Sequence, residues 1–313
     1  MVGAYMNIVF MGTPNFSVPV LTKLNQHHHI MLVVTQPDKA VGRKKIMMPS
    51  PVKVKALELG LPIFQPVSLR KDYQTIIDLK PDLIVTAAYG QMLPQELLDQ
   101  IEAVNVHGSL LPHYRGGAPI QYALFDGLKE TGITIMYMTY KMDSGDIIRQ
   151  EKVSIEKDDN YETLSKKLSI VGADLLIQVL DDITQGTSQR TPQNEQDVTF
   201  AYTIKPADEE IHFGMTTSQM INRIRGLSPE PGATLHIKNM TLKVYRAQKG
   251  DIIDDKAIPG SVLMAHKRLI IKTIDGSIEF LEVQQPGKKV MATKDFLNGQ
   301  NIIQQGDVIE GRK

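Results

Sequence analysis

The sequence predicts an α/β protein: a Rossmann-like, mostly parallel sheet domain followed by a small C-terminal antiparallel β-barrel. Three observations predict it. Continuous apolar runs alternate with helical patterns through the first half. The texture turns polar after Gly186. Short strand-like runs with turn signals then fill about the last hundred residues. The 313 residues exceed the usual size of one core, so two domains are expected.

Taken in order, residues 7–11 (NIVFM), 30–35 (IMLVVT), 83–88 (LIVTAA) and 104–107 (VNVH) read as buried strands. Residues 16–25, 51–60, 68–79 and 94–101 read as the helices between them. Apolar strands separated by helices imply a parallel sheet covered on both faces. A helix over 117–128 and strands over 132–138 and 147–155 follow. Residues 160–183 give the clearest helix. Leu164, Leu168, Val171, Leu175 and Val179 recur at helical spacing, with Asp159 and Glu162 as a capping box. Residues 1–188 form the first expected domain, 189–207 a polar linker, and 208–313 the second domain. In the latter, a helix over 217–225 precedes strands at 233–237, 241–248, 261–266, 268–274 and 277–284. Residues 1–5 precede the first strand and are expected to be dispensable.

Composition excludes several chemistries. There is no Cys, hence no disulfide, cysteine-ligated zinc or thiol nucleophile. Apolar content of 42% and charged content of 22% suit a soluble globular chain. No apolar run reaches membrane-spanning length and no signal-peptide pattern is visible, so a cytoplasmic protein is expected. Formal net charge is zero, so a nucleic-acid partner would need local basic patches.

The chemistry-bearing stretch is NVHGSLLPHYRGGAPIQ, 105–121. Residues i and i+2 of a strand share a face, so Asn105 and His107 project together from a strand end. In open parallel sheets that carboxyl edge is where ligands bind. For Asn-x-His taken alone, a polar strand end bonded to a neighbouring loop is the simpler explanation. The following loop, with Gly108, Pro112, Gly116, Gly117 and Pro119, lets backbone approach a ligand. Leu110 and Leu111 read either as a pocket wall or as a buried anchor. Asp143, in KMDSGDII, reads either as turn chemistry or as a carboxylate that holds the His107 imidazole charged and oriented. Asn, His and Asp without a Ser or Cys nucleophile fit direct acyl transfer, with amide and imidazolium N–H groups donating to an oxyanion.

These residues, with FMGTPNFSVPVLTKL (10–24), QPDKAVGRKKIMMPSPVK (36–53), RIRGLSPEPGATL (223–235), PGSV (259–262) and FLNG (296–299), resemble the folate-dependent formyltransferases. Within them they resemble the branch that formylates methionyl-tRNA. The resemblance implies 10-formyltetrahydrofolate as formyl donor, methionyl initiator tRNA as acceptor, and no metal. It implies Asn105, His107 and Asp143 as the catalytic trio. It places Ser109, Leu110, Leu111 and Pro112 on the folate-binding segment, and Tyr89, Gly90, Gln91 and Met92 beside the pterin. It also implies an OB-like C-terminal barrel that helps hold the tRNA.

Between Gln36 and Lys55 six basic residues face one acid, Asp38. Such a run fits phosphates or the folate glutamate tail. Arg43, Lys44 and Lys45 are its tRNA-binding candidates, and Phe16 is the candidate wall for a methionine side chain. MGTPNF (11–16) has one glycine where a dinucleotide fingerprint needs three. His27, His28 and His29 suit a solvated loop better than a metal site. Two rivals are a sister formyltransferase for a small amine and a noncatalytic nucleic-acid binder. The first needs neither basic loop nor barrel, and the second leaves the polar trio unexplained.

Overall fold

A computed structural model describes residues 5–41, 45–298 and 302–309. The chain groups into two compact units. One runs to Pro119 and adds Glu130–Ile155 and Leu164–Tyr202; the other holds Ile120–Lys129, Glu156–Thr163 and the chain from Thr203.

The elements up to the long helix are β1 (Asn7–Gly12), α1 (Ser17–His27), β2 (His29–Val34), β3 (Lys39–Val41), β4 (Ile46–Met48), α2 (Pro51–Glu58), β5 (Ile63–Phe64), α3 (Leu69–Asp72), α4 (Gln74–Leu79), β6 (Leu83–Ala87), α5 (Gln95–Leu98), β7 (Ala103–His107), α6 (Pro119–Phe125), β8 (Glu130–Tyr137), β9 (Ile147–Ser154) and α7 (Tyr161–Thr184). Seven strands form one sheet in the order β5-β2-β1-β6-β7-β8-β9. The ladders from β5 to β7 are parallel, and β8 and β9 add antiparallel pairs. Strands such as β1 and β6 are buried along nearly their whole length, which is why they read as unbroken apolar runs. The chain leaves β1 towards β2 on one side and returns to β6 on the other. The carboxyl ends of β1 and β6 are therefore the switch point of the sheet.

Local differences from expectation have physical causes. The helix expected over 68–79 restarts at Tyr73, and α4 ends at Lys80 in a left-handed conformation, φ 51°, just before Pro81. The cap of α7 is Asn160 with Thr163, not Asp159 with Glu162. Asn160 Oδ1 accepts from Thr163 N at 3.0 Å and Thr163 Oγ1 accepts from Asn160 N at 3.0 Å. Asp159 instead accepts from Glu156 N and the Thr163 hydroxyl.

His28 corrects the reading of a solvated triplet. It is 4% exposed, between the end of α1 and the start of β2. Burial, helped by the adjacent His27, pushes its imidazole below the ordinary 6.5. The unfolded chain therefore takes up this proton first as pH falls. The contribution of neutral His28 to stability is complete above about pH 6.5 and declines as pH drops through the lowered value. His28→Gln is expected to lose less stability than the parent between pH 7.5 and 5.5. Urea unfolding at both pH values measures it, and equal losses would remove His28 from the acid limb.

The second unit carries α8 (Thr217–Gly226), β10 (Ala233–Ile237), β11 (Met240–Lys249), β12 (Val262–His266), β13 (Arg268–Lys272), β14 (Ser277–Gln284), β15 (Met291–Ala292) and α9 (Thr293–Asn298). Its strands form an antiparallel sheet, β10-β11-β14-β13-β12, with β15 on β14. Each strand from β10 to β14, with α8 and α9, feeds one apolar core that includes Met220, Leu235, Leu242, Val262, Phe280 and Phe296. Helix α8 starts on a capping box, Thr216 with Gln219. Among the described residues no ladder joins β10 to β12, so the hydrogen-bonded path is that of an open sheet.

Candidate active site

Asn105 and His107 stand on β7, and His107 is its last residue. Thr86, the register partner of Asn105 on β6, fixes the amide: its hydroxyl donates to Asn105 Oδ1 at 2.8 Å. Asn105 Nδ2 is thereby turned towards Asp143 Oδ1, 3.5 Å away. The His107 ring is buried, and its Nε2 lies 3.0 Å from the Tyr114 carbonyl. A carbonyl only accepts, so Nε2 carries a proton and donates. Nδ1 is left facing Asp143 Oδ1 at 3.7 Å, beyond hydrogen-bond reach. The three side chains thus meet in unit one, with Asn105 Nδ2 and His107 Nδ1 both facing the same carboxylate oxygen.

Asp143 is held from three sides. Its backbone is left-handed, φ 49°. Its Oδ2 accepts from Gly116 N at 2.8 Å. Gln193 Nε2 donates to the carbonyls of Asp143 and Gly145 at 2.9 and 2.8 Å. Gly145 itself passes so close to β8 that a Cβ there would lie 1.8 Å from the Tyr137 carbonyl oxygen. Gln193 is positioned by Arg115, whose buried guanidinium donates to Gln193 Oε1 at 3.0 and 2.9 Å and to Glu195 at 2.8 Å. Those bonds from Arg115, with Lys141, hold the Glu195 carboxyl below its usual range.

Thr86, the Tyr114 carbonyl and Gln193 were not foreseen, and Gly116, expected to let backbone approach a ligand, donates to Asp143 instead. Thr86 left a trace, a lone hydroxyl in the apolar run LIVTA. The others act through backbone or from the segment expected as a linker. That segment is strapped to the first unit over 189–202. Thr191 exchanges two backbone bonds with Ile147, and Arg115, Thr199 and Ala201 are joined by bonds of 2.8 to 2.9 Å.

The loop after β7 is pinned by its own side chains. Ser109 Oγ donates to the His113 carbonyl at 2.6 Å, and Thr134 Oγ1 bridges Ser109 O and Leu111 N. Leu111 is buried, and Leu110 lies against Gly132 of β8. Leu111 therefore anchors the loop, while half-buried Leu110 packs on β8 with part of its surface open. In the loop after β6, Tyr89 is a core residue, and burial raises its phenol well above the ordinary value. The Tyr89 carbonyl accepts from Thr13 Oγ1 at 2.8 Å, which ties this loop to the end of β1. Gln91 is spent on Leu69 N and the Pro66 carbonyl, while Gly90 takes φ 91° and Met92 is exposed. Phe16 is buried just before α1.

The basic stretch folds partly as a hairpin, β3 against β4, with Ile46, Met47 and Met48 exposed. Arg43 and Lys44 lie outside the described residues; Lys45 is exposed with φ 47°. Two other lysines are matched by acids. Lys53 Nζ bonds both oxygens of Asp38 at 2.9 and 2.7 Å, and Lys55 pairs with Glu58. The Gln65 amide and then Lys53 hold the Asp38 carboxyl below its usual range.

Comparison with known proteins agrees in both halves of the chain. Residues 6–180 match the formyl transferase family, and 203–301 match its C-terminal domain. A methionyl-tRNA formyltransferase of Macrococcus caseolyticus (strain JCSC5402) is 44% identical over 297 residues, spanning 93% of this chain and 95% of that one. The chain belongs to the methionyl-tRNA formyltransferase family. A further family member from Lactobacillus acidophilus is 48% identical over 301 residues, covering 94% of this chain and 95% of its own. Among solved structures, HypX from Aquifex aeolicus in complex with tetrahydrofolic acid shares the fold, with a TM-score of 0.68 at 15% identity. It covers 99% of this chain and 51% of that chain. The sugar 3N-formyl transferase WlaRD shares it at TM-score 0.67 and 18% identity, covering 92% and 100%. Like the family's fold, this one is a mostly parallel sheet with helices followed by an antiparallel sheet unit. No helix of the described residues is long and apolar enough to cross a membrane.

Proposed function

We propose that this chain transfers the formyl group of 10-formyltetrahydrofolate to the amino group of methionyl initiator tRNA, in the cytoplasm. The observation that carries the reading is the convergence of Asn105 Nδ2 and His107 Nδ1 on Asp143 Oδ1 at the carboxyl edge of the sheet. The neutral methionyl amine attacks the formyl carbon; a C–N bond forms and the carbonyl electrons move to oxygen. Asn105 Nδ2–H and the Nδ1–H of protonated His107 donate to that oxyanion. Asp143 takes the proton released by the amine, directly or through water. The carbonyl re-forms as the bond to N10 breaks, and N10 takes up a proton. His107 keeps its orientation throughout, because Nε2–H stays on the Tyr114 carbonyl.

The formyl donor lies along the loops after β6 and β7. Since Ser109, Leu111, Tyr89 and Gln91 are engaged within the protein, its contacts fall to backbone there and to Leu110, Pro112, Gly90 and Met92. Phe16 walls the methionine side chain. Residues 1–188 act as the catalytic domain and 208–313 as the tRNA-contacting domain.

Arg43, Lys44 and Lys45 hold acceptor-stem phosphates. Arg43→Ala is expected to weaken tRNA use and make its salt dependence shallower, because fewer counterions are released, while donor affinity stays constant. Kinetics at several salt concentrations test it; a loss of donor affinity with tRNA use spared would assign the cluster to the glutamate tail. The function itself is tested by offering charged initiator tRNA, free methionine and an amino-sugar nucleotide as acceptors. Formylation of the tRNA alone is expected. Preference for the small amine would overturn the reading.

A further inference from the structure

We propose that Phe200 and Tyr202 form a stacking platform for a nucleobase at the 3′ end of the acceptor RNA, an inference that rests on the acceptor being an aminoacyl-tRNA. The two rings lie 5.9 Å apart between centroids with planes only 10° from parallel. They belong to an extended stretch in which Ala201 is fully buried, so Phe200 and Tyr202 turn the other way. Phe200 is 49% exposed and Tyr202 65% exposed. A parallel aromatic pair left open to water presents flat π-faces of the kind on which bases stack, whatever their identity.

The position of the pair selects the ligand. Arg115 N donates to Thr199 O at 2.9 Å, Ala201 N to Arg115 O at 2.8 Å, and Ala118 N to Ala201 O at 3.1 Å. The same short loop offers the Tyr114 carbonyl to His107 and the Gly116 N–H to Asp143. The platform is thus bonded to the backbone that orients two members of the trio. In an aminoacyl-tRNA the reacting amine hangs from the terminal ribose, so its last unpaired nucleotides must lie beside the trio. A stacking surface there holds those nucleotides without reading their sequence. It needs no cation at that point, and Lys141, the basic group on the Asp143 loop, is engaged with Glu195.

The chain has no Trp, so Tyr202→Trp introduces a single indole as reporter. Titration with complete uncharged tRNA is expected to quench its fluorescence, and the same tRNA trimmed of its 3′-terminal nucleotides is expected to leave it bright. Replacing both Phe200 and Tyr202 with Ala should raise KM for methionyl-tRNA about 10-fold, with the affinity for the formyl donor unchanged. Restoring one aromatic as Tyr202→Trp should recover most of that loss. Both rings are exposed, Phe200 to about half, so their removal does not open the core. Equal quenching by the two RNAs, no quenching by either, or an unchanged KM in the double variant would overturn the platform. Formylation of methionyl-tRNA by the unaltered protein is measured alongside. Its absence sinks the functional reading itself; its presence with a silent indole sinks the platform alone.

Discussion

Asn105→Ala is expected to lower kcat by about 10²- to 10³-fold while leaving the affinity for the formyl donor close to that of the parent protein. The asymmetry follows from when the interaction matters. In the proposed reaction the amide N–H meets a carbonyl in the bound donor but an oxyanion in the tetrahedral intermediate, and only interactions that strengthen on the way to the transition state raise kcat. The structure adds a way to separate this role from simple packing. Thr86 donates to Asn105 Oδ1 at 2.8 Å and so aims the N–H groups. Thr86→Val keeps the shape of the buried side chain and frees the amide to rotate. It should produce a smaller fall in kcat, with donor affinity again preserved, because the donor group remains but is no longer oriented. Single-turnover formylation with saturating donor reads both. Near-parental turnover in Asn105→Ala would remove the amide from the oxyanion site. A Thr86→Val variant as impaired as Asn105→Ala would show that the two residues serve the fold of the β6–β7 edge.

What the sequence disclosed and what it hid divide along a physical line. The parallel sheet was legible because strands buried on both faces carry unbroken apolar runs, as in β1 and β6. Asn105, His107 and Asp143 could be singled out because their side chains are of the kinds that acyl transfer would use and the strand period puts the first two on one face. The groups that aim them were not legible. Tyr114 and Gly116 contribute a carbonyl and an N–H, which every residue has, and only the path of the loop makes them special. Gln193 lies in a polar stretch with few apolar groups, and composition does not distinguish a free linker from a strap held by hydrogen bonds. The β3–β4 hairpin was missed because three-residue strands with exposed Ile46, Met47 and Met48 show no burial alternation. Asp159 and Glu162 matched the capping pattern, yet Asn160 and Thr163, one residue on, supply the reciprocal bonds. His28 looked solvated because its neighbours His27 and His29 are, whereas the turn between α1 and β2 folds the middle ring inward.

Gly116→Ala should be the most damaging change outside the trio. Gly116 adopts φ 126°, a conformation that a side chain strongly disfavours. A Cβ there would lie 2.5 Å from the Ala201 carbonyl oxygen, which itself accepts from Ala118 N. Neither contact can relax by turning a side chain, because both partners are backbone. The loop must shift, and its N–H then leaves Asp143 Oδ2, now 2.8 Å away. Misplacing a reacting group by about 1 Å costs on the order of 10²-fold in rate, and the backbone strain itself costs about 1–3 kcal/mol. The expected outcome is a large fall in kcat with a smaller loss of stability, since the sheet and its apolar core lie elsewhere. Two measurements made together separate the causes: urea unfolding for the fold, and kcat with saturating donor and acceptor for the site. Asp143→Asn offers the comparison. If the Gly116 N–H works by holding the carboxylate, adding Gly116→Ala to Asp143→Asn should cost much less than it does in the parent protein. Fully additive losses would mean that Gly116 shapes the loop without acting through Asp143.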